Sequence, residues 1–263
     1  MKKIGGMATF NGVLLRDETT EVNAYYIDDD IYLDKKYLNT TKYPIFIRGY
    51  ISLVNMYKLG IKYITDSAEY ILKSFFDVKY KITNKELGIS YFIAFVMFIL
   101  IYIIVPNVIS CLTNIVFLNV IIKVIIFAIY IFSITKISFL DELFKFHSAE
   151  HMSVNYYEKE EIPNNIFDFD YNKLSKYDKF NKRCGSNFVT ILFILSCIST
   201  IFLPLNNIIH SILIELVVFI FLIGITYEIF KYISFKPLCI LQKCVTKVPD
   251  IKHVYLAFVN LLY

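Results

Sequence analysis

Between Leu87 and Ile122 the chain contains no Asp, Glu, Lys or Arg, and an uncharged apolar run of that length leaves few folds open. A helix crosses a bilayer in about 20 residues, so the run is too long for one crossing and too apolar for the core of a domain of this size. It is expected to hold one membrane helix, Gly88 to about Val105, and the start of a second reaching about Thr135, with the break at Pro106-Asn107. A third span is expected over Phe188 to Leu203 and a fourth over about Ile208 to Phe230, joined by Pro204-Leu205-Asn206-Asn207. A hydrophobic content of 57% and a mean hydropathy of +0.55 agree with this pattern and not with a water-soluble domain. The fold class expected is a mainly α membrane protein, with about four transmembrane helices in two hairpins, a small N-terminal β-rich region and cytoplasmic amphipathic helices.

In order, residues 1–43 read as a β-rich region, with Asp28-Asp29-Asp30 as a hairpin turn between two Tyr-bearing alternating runs. Residues 44–87 read as amphipathic or membrane-docked helices, since Lys58, Lys62 and Asp66 interrupt an otherwise apolar stretch. The first transmembrane hairpin occupies 88–135, a polar segment with its own helix 136–187, the second hairpin 188–230, and a tail of short surface helices 231–263. The polar-segment helix is expected to continue the second span into water. Met1 to Phe10 lacks the apolar core of a secretory signal, so a later span is expected to direct insertion. Neither hairpin turn carries Lys or Arg, while the N-terminal region, the central segment and the tail hold nearly all of them. By the positive-inside rule this is a multi-pass protein of the cell membrane with both termini cytoplasmic.

A net charge of +4 spread through a mixed-charge background, without aromatic and basic interleaving, excludes nucleic acid as a partner and leaves the lipid bilayer. Five cysteines (Cys111, Cys184, Cys197, Cys239 and Cys244) form no C-x-x-C pair, and an odd number argues against a disulfide framework. Lys123 lies inside the second span, where an ionisable group either snorkels outward or faces the bundle interior. His210 and Glu215 fall in the outer half of the fourth span, and Glu215 is expected to face other helices.

The chemistry concentrates in Phe146-His147-Ser148-Ala149-Glu150-His151, an H-x-x-E-H word. On a helix, positions three and four apart share a face, so His147, Glu150 and His151 point one way, among Leu140, Leu143, Phe144 and Val154. Polar groups on an apolar face need partners, and a divalent metal, zinc among the candidates, satisfies all three. This spacing is that of inverted zincins, with His147 and His151 as ligands and Glu150 as general base. A hydrogen-bonded polar cluster at a helix joint is the alternative. A third protein ligand is sought among Glu228 at the inner end of the fourth span, Glu158 and Cys184. Of these Glu228 is preferred, because the topology brings it level with the H-x-x-E-H helix. Ser186 is the expected N-cap of the third span.

Several words then match one family in order. Gly5-Gly6-Met7-Ala8-Thr9-Phe10-Asn11-Gly12-Val13-Leu14-Leu15-Arg16, Pro44-Ile45-Phe46-Ile47-Arg48-Gly49, the H-x-x-E-H word with Asn155-Tyr156-Tyr157-Glu158, Arg183-Cys184-Gly185-Ser186-Asn187-Phe188 and Gly224-Ile225-Thr226-Tyr227-Glu228 resemble segments of the YqhQ-like membrane proteins, domain of unknown function 1385. The resemblance implies a metal-dependent enzyme. Three positions depart from the family pattern: Met7 stands for Gln, Asn11 for Glu and Asn181 for His. Two functions follow: a metal-dependent hydrolase with a cytoplasm-facing site, acting on a peptide or lipid-linked substrate, or a non-catalytic scaffold, channel or translocation-related protein. A pore built from so few spans implies a homo-oligomer.

Overall fold

A computed structural model describes residues 4–39, 43–45, 47–160, 165–203, 207–232 and 236–263. The chain begins with four antiparallel strands in sequential order, β1 (Gly5–Ala8), β2 (Gly12–Arg16), β3 (Thr20–Ile27) and β4 (Asp30–Tyr37). The β3–β4 turn falls on Asp28 and Asp29, whose φ values of 47° and 72° are those of a two-residue primed turn, a conformation Asp tolerates better than most residues. Helix α1 (Ile47–Phe76) then runs 30 residues as one piece.

The apolar run folds as a continuous 30-residue helix over Asn84–Thr113. It comprises α2 (Asn84–Phe98), a π-helical segment (Ile99–Ile104) and α3 (Val105–Thr113). The break expected at Pro106-Asn107 is therefore not there. Pro106 has no N–H to give to the preceding turn, and the wider π turn before it absorbs the misfit. The chain reverses instead at Asn114, left-handed at φ 57°, which caps α3. Helix α4 (Val116–Ile134) follows. Helix α5 (Leu140–Tyr157), which carries the H-x-x-E-H word, is a separate helix beyond a turn and not a continuation of α4.

After a 3₁₀ turn (Ile166–Asp168) and the short α6 (Tyr171–Leu174) come α7 (Gly185–Thr200) and α8 (Ile208–Tyr232), a 3₁₀ segment (Lys236–Lys243) and α9 (Ile251–Leu261). Among the described residues, three helices are long and apolar enough to cross a membrane: Asn84–Thr113, Val116–Ile134 and Ile208–Tyr232. Helix α7, expected as a fourth, has 16 residues and packs against α4 and α8. In the turn expected at Pro204-Leu205-Asn206-Asn207, residues 204–206 lie outside the described residues, as does Phe46 of the P-I-F-I-R-G word.

The main core is outside the apolar helices. Val13, Leu15 and Ala24 from one face of the sheet meet Phe146, Ala149 and Val154 of α5 and Val254, Leu256, Ala257 and Phe258 of α9. The tail is thus not a set of surface helices: α9 is among the most buried elements, its periodic Val254, Ala257 and Phe258 each fully buried. Helix α5 packs against both the sheet and α9, which itself rests on β2 and β3, and α5 is buried on almost every face, which explains why its polar residues are so constrained. At the other end of the molecule, α1 crosses α8 closely at Gly49, where a Cβ would come within 3.0 Å of the Tyr227 side chain.

Candidate metal centre

Two histidines one turn apart on α5 stand with ring centroids 4.3 Å apart. His147 Nδ1 lies 2.9 Å from the Val245 carbonyl oxygen, and His151 Nδ1 lies 2.6 Å from that of Lys179. A carbonyl only accepts, so each Nδ1 carries the ring hydrogen and donates it, leaving each Nε2 with its lone pair free. Both tautomers are thus set by backbone groups from different parts of the chain, the arrangement that orients metal-binding imidazoles.

The loop that holds His151 is itself braced. Asn155, one turn further along α5, donates from Nδ2 to the carbonyls of Asp178 at 2.6 Å and Phe180 at 3.0 Å. Asn181 donates to Asn155 Oδ1 at 3.2 Å and accepts from the Arg183 N–H at 2.8 Å. Gln242 completes the brace, accepting from the Asn181 N–H at 2.9 Å and donating to its carbonyl at 2.7 Å. The same loop delivers Cys184, the N-cap of α7, whose Sγ lies 3.2 Å from His147 Nε2. Ser186, expected as that cap, sits inside the first turn and donates to the Cys184 sulfur at 3.2 Å.

One ligand atom from each of His147, His151 and Cys184 lies within 4.8 Å of the others, close enough to converge on one ion. His151 is buried, and its Nε2 has no hydrogen-bond partner among the described residues. An orphaned buried acceptor costs on the order of 1–3 kcal/mol; a cation at that point removes the cost. The residues present therefore fit a divalent metal of the borderline-soft kind, with two imidazoles and one thiolate. The sulfur also sits at the positive end of the α7 dipole, which suits the charge of a metal-bound thiolate.

Glu150, on the same helix, is buried but is not one of the groups that converge within 4.8 Å. Burial pushes its carboxyl up to about 7, partly offset by neighbouring His147. It rests on Gly6 of β1, where a Cβ would come within 2.7 Å of Oε1, so only glycine leaves room for this carboxylate.

Glu228, preferred as the third ligand, is placed elsewhere: it forms a two-point pair with Arg48, whose Nε donates to Oε1 at 2.9 Å, and ties α8 to α1. Glu158 pairs with Arg183. A helix topology that aligns two segments along the bundle does not fix their azimuth around it. The signal that could have favoured Cys184 was chemical, a thiol at a helix start beside an H-x-x-E-H helix.

A second group of candidate ligands, Glu142, Asp250 and His253, is of another kind. His253 accepts the Asp250 N–H at Nδ1 (3.1 Å) and donates from Nε2 to Glu142 (3.0 Å), so neither ring nitrogen is spare. Lys145 and Lys252 add two cations to the same carboxylates. This is an ion-pair brace between α5 and α9.

None of the curated proteins and none of the solved structures compared with the chain matches it. The family model described as "Protein of unknown function (DUF1385)" matches residues 44–262, taking in every helix of the fold together with His147, His151 and Cys184, and the chain belongs to that family.

Proposed function

We propose that this protein is a membrane-embedded, metal-dependent hydrolase whose site lies at the cytoplasmic surface, with both termini on that side. His147, His151 and Cys184 hold the ion and Glu150 serves as the base. The observation that carries the reading is the pair of Nε2 lone pairs, fixed by two backbone carbonyls and directed to one space with the Cys184 sulfur. A divalent ion such as zinc supplies a Lewis acid there.

The chain's own residues do the rest. Glu150, whose carboxyl burial raises toward neutrality, is suited to accept and return a proton. The Val245 and Lys179 carbonyls keep the imidazoles from rotating. The closely packed sheet and α9 shield the back of the cluster from water. Three apolar helices of crossing length support a substrate presented at the membrane surface, peptide or lipid-linked. The scaffold reading, with the cluster as a hydrogen-bond network only, leaves His151 Nε2 unsatisfied.

The test is metal content of the purified full chain beside His147→Ala/His151→Ala and Glu150→Gln variants. Stoichiometric divalent metal in wild type and in Glu150→Gln, with loss in the double histidine variant, is expected. Equal metal in all three contradicts the assignment.

A further inference from the structure

The sheet ends on β4, an eight-residue strand that pairs only with β3 among the described residues. Its hairpin closes on Ile27 and Asp30, and further along the Leu38 N–H donates to the Thr19 carbonyl at 2.8 Å. Bonded positions alternate in an antiparallel pair, so Asp30, Tyr32, Asp34, Lys36 and Leu38 turn their backbone groups to β3. Ile31, Leu33, Lys35 and Tyr37 turn theirs outward, a row of donors and acceptors that β3 does not reach.

Such an edge is a template for another strand, and proteins usually blunt it with charge, proline or a short strand. Strand β4 has no proline and is as long as β3. It leaves Tyr32, Leu33 and Tyr37 45%, 37% and 76% exposed. Its charged residues, Asp30, Asp34, Lys35 and Lys36, are of both signs, and their spacing decides which strand the edge accepts.

A second copy of β4 laid antiparallel across a two-fold axis keeps each side chain on its own face of the sheet, which restricts the pairing to registers centred on one residue. Centred on Tyr32, the pairing sets Asp30 against Asp34; centred on Asp34 or on Lys35, it sets that residue against itself. Like charges directly opposite are destabilising. Centred on Leu33, it sets Asp30 against Lys36 at both ends, Tyr32 against Asp34 and Ile31 against Lys35, with no like pair opposed. The same register joins Ile31, Leu33 and Lys35, whose backbone groups point outward. Lys35 is already held by the Tyr263 carbonyl, so it brings no free cation to Ile31.

We propose that β4 joins two copies of this chain into one continuous sheet, in the register centred on Leu33. The occupant of the edge is a second copy because the strand's own charges complement themselves in that register and clash in its neighbours. The contact is separate from the histidine cluster and does not depend on the metal reading.

The experiment is the mass of the full chain in detergent, measured by light scattering over a concentration series. Wild type is expected to be a dimer. Leu33→Pro removes an outward N–H and fills the edge with its ring but breaks no bond to β3, so it should give monomer with unchanged far-ultraviolet circular dichroism. Asp30→Lys sets lysine against Lys36 twice across the two-fold axis and should raise the dissociation constant about tenfold. The swap Asp30→Lys/Lys36→Asp restores opposite charges and should return that constant to the wild-type value, which keeps the test decisive even if Leu33→Pro fails to fold. A monomeric wild type, which leaves the edge to a strand of another protein, overturns the proposal. So does a dimer that survives in folded Leu33→Pro, or a swap that fails to restore association.

Discussion

At the scale of single residues, the site depends on groups with no room to move. Gly6 is the clearest case, because a methyl group there would meet Glu150 Oε1 at 2.7 Å and the Leu14 carbonyl oxygen, a backbone atom, at 2.8 Å. Gly6→Ala should therefore destabilise the protein by about 1–3 kcal/mol, the usual cost of overpacking, measured as a loss of melting temperature. An unchanged melting temperature would show that β1 yields. Asn181 and Asn11, where the sequence resemblance leads one to expect His and Glu, have structural duties. Asn181 braces the loop bearing Lys179, and Asn11 donates to the Tyr26 carbonyl at 2.8 Å. Asn181→Ala removes side-chain bonds from the loop that orients His151, so a drop in metal affinity of about 10- to 100-fold is expected, as for other supporting residues of metal sites. Metal titration checks it.

Between elements, two polar braces hold helices in place. Lys123 of α4 and Glu215 of α8 form an ion pair buried among the apolar helices, with Thr200 of α7 accepting from the lysine at 2.6 Å and Asn107 of α3 donating to the glutamate. Of the two readings of Lys123, the interior one holds. Removing one partner of a buried pair leaves an uncompensated charge, so Lys123→Met should cost about 3–5 kcal/mol, and adding Glu215→Leu should recover most of it. Unfolding of the detergent-solubilised variants decides this; a double variant as unstable as the single would indicate another role. The second brace joins α5 to α9. Hydrogen bonding to His253, then to Lys252, holds the Glu142 carboxyl well below its ordinary range, and Lys145 does the same for Asp250. A carboxylate lowered on folding stabilises the fold above its unfolded value, near 4.3, and that stability is lost as pH falls through the folded value. Melting temperature should thus fall below about pH 4, and Glu142→Gln should flatten that acid limb.

Taken as a whole, the molecule is a sheet, α5 and α9 packed as one unit beside a set of apolar helices. Its apolar helices and N-terminal hairpin were legible because uncharged length and an Asp-rich turn each have one physical reading. The reversal at Asn114 was not, since inside a run without charges Pro106 is the louder breaker and the π turn that tolerates it leaves no trace in composition. The burial of α9 was hidden by its flanking lysines and prolines. In the site, the H-x-x-E-H spacing disclosed two imidazoles on one face. Cys184, 33 residues beyond His151, reaches them only through a folded loop that no local pattern describes. The central claim is that two imidazoles and one thiolate converge on a single ion. X-ray absorption at the metal edge of the purified, zinc-loaded chain tests it directly. The account predicts one sulfur and two imidazole ligands, with the sulfur contribution absent in Cys184→Ser; a spectrum without sulfur in the wild type, or one unchanged by that substitution, would contradict it.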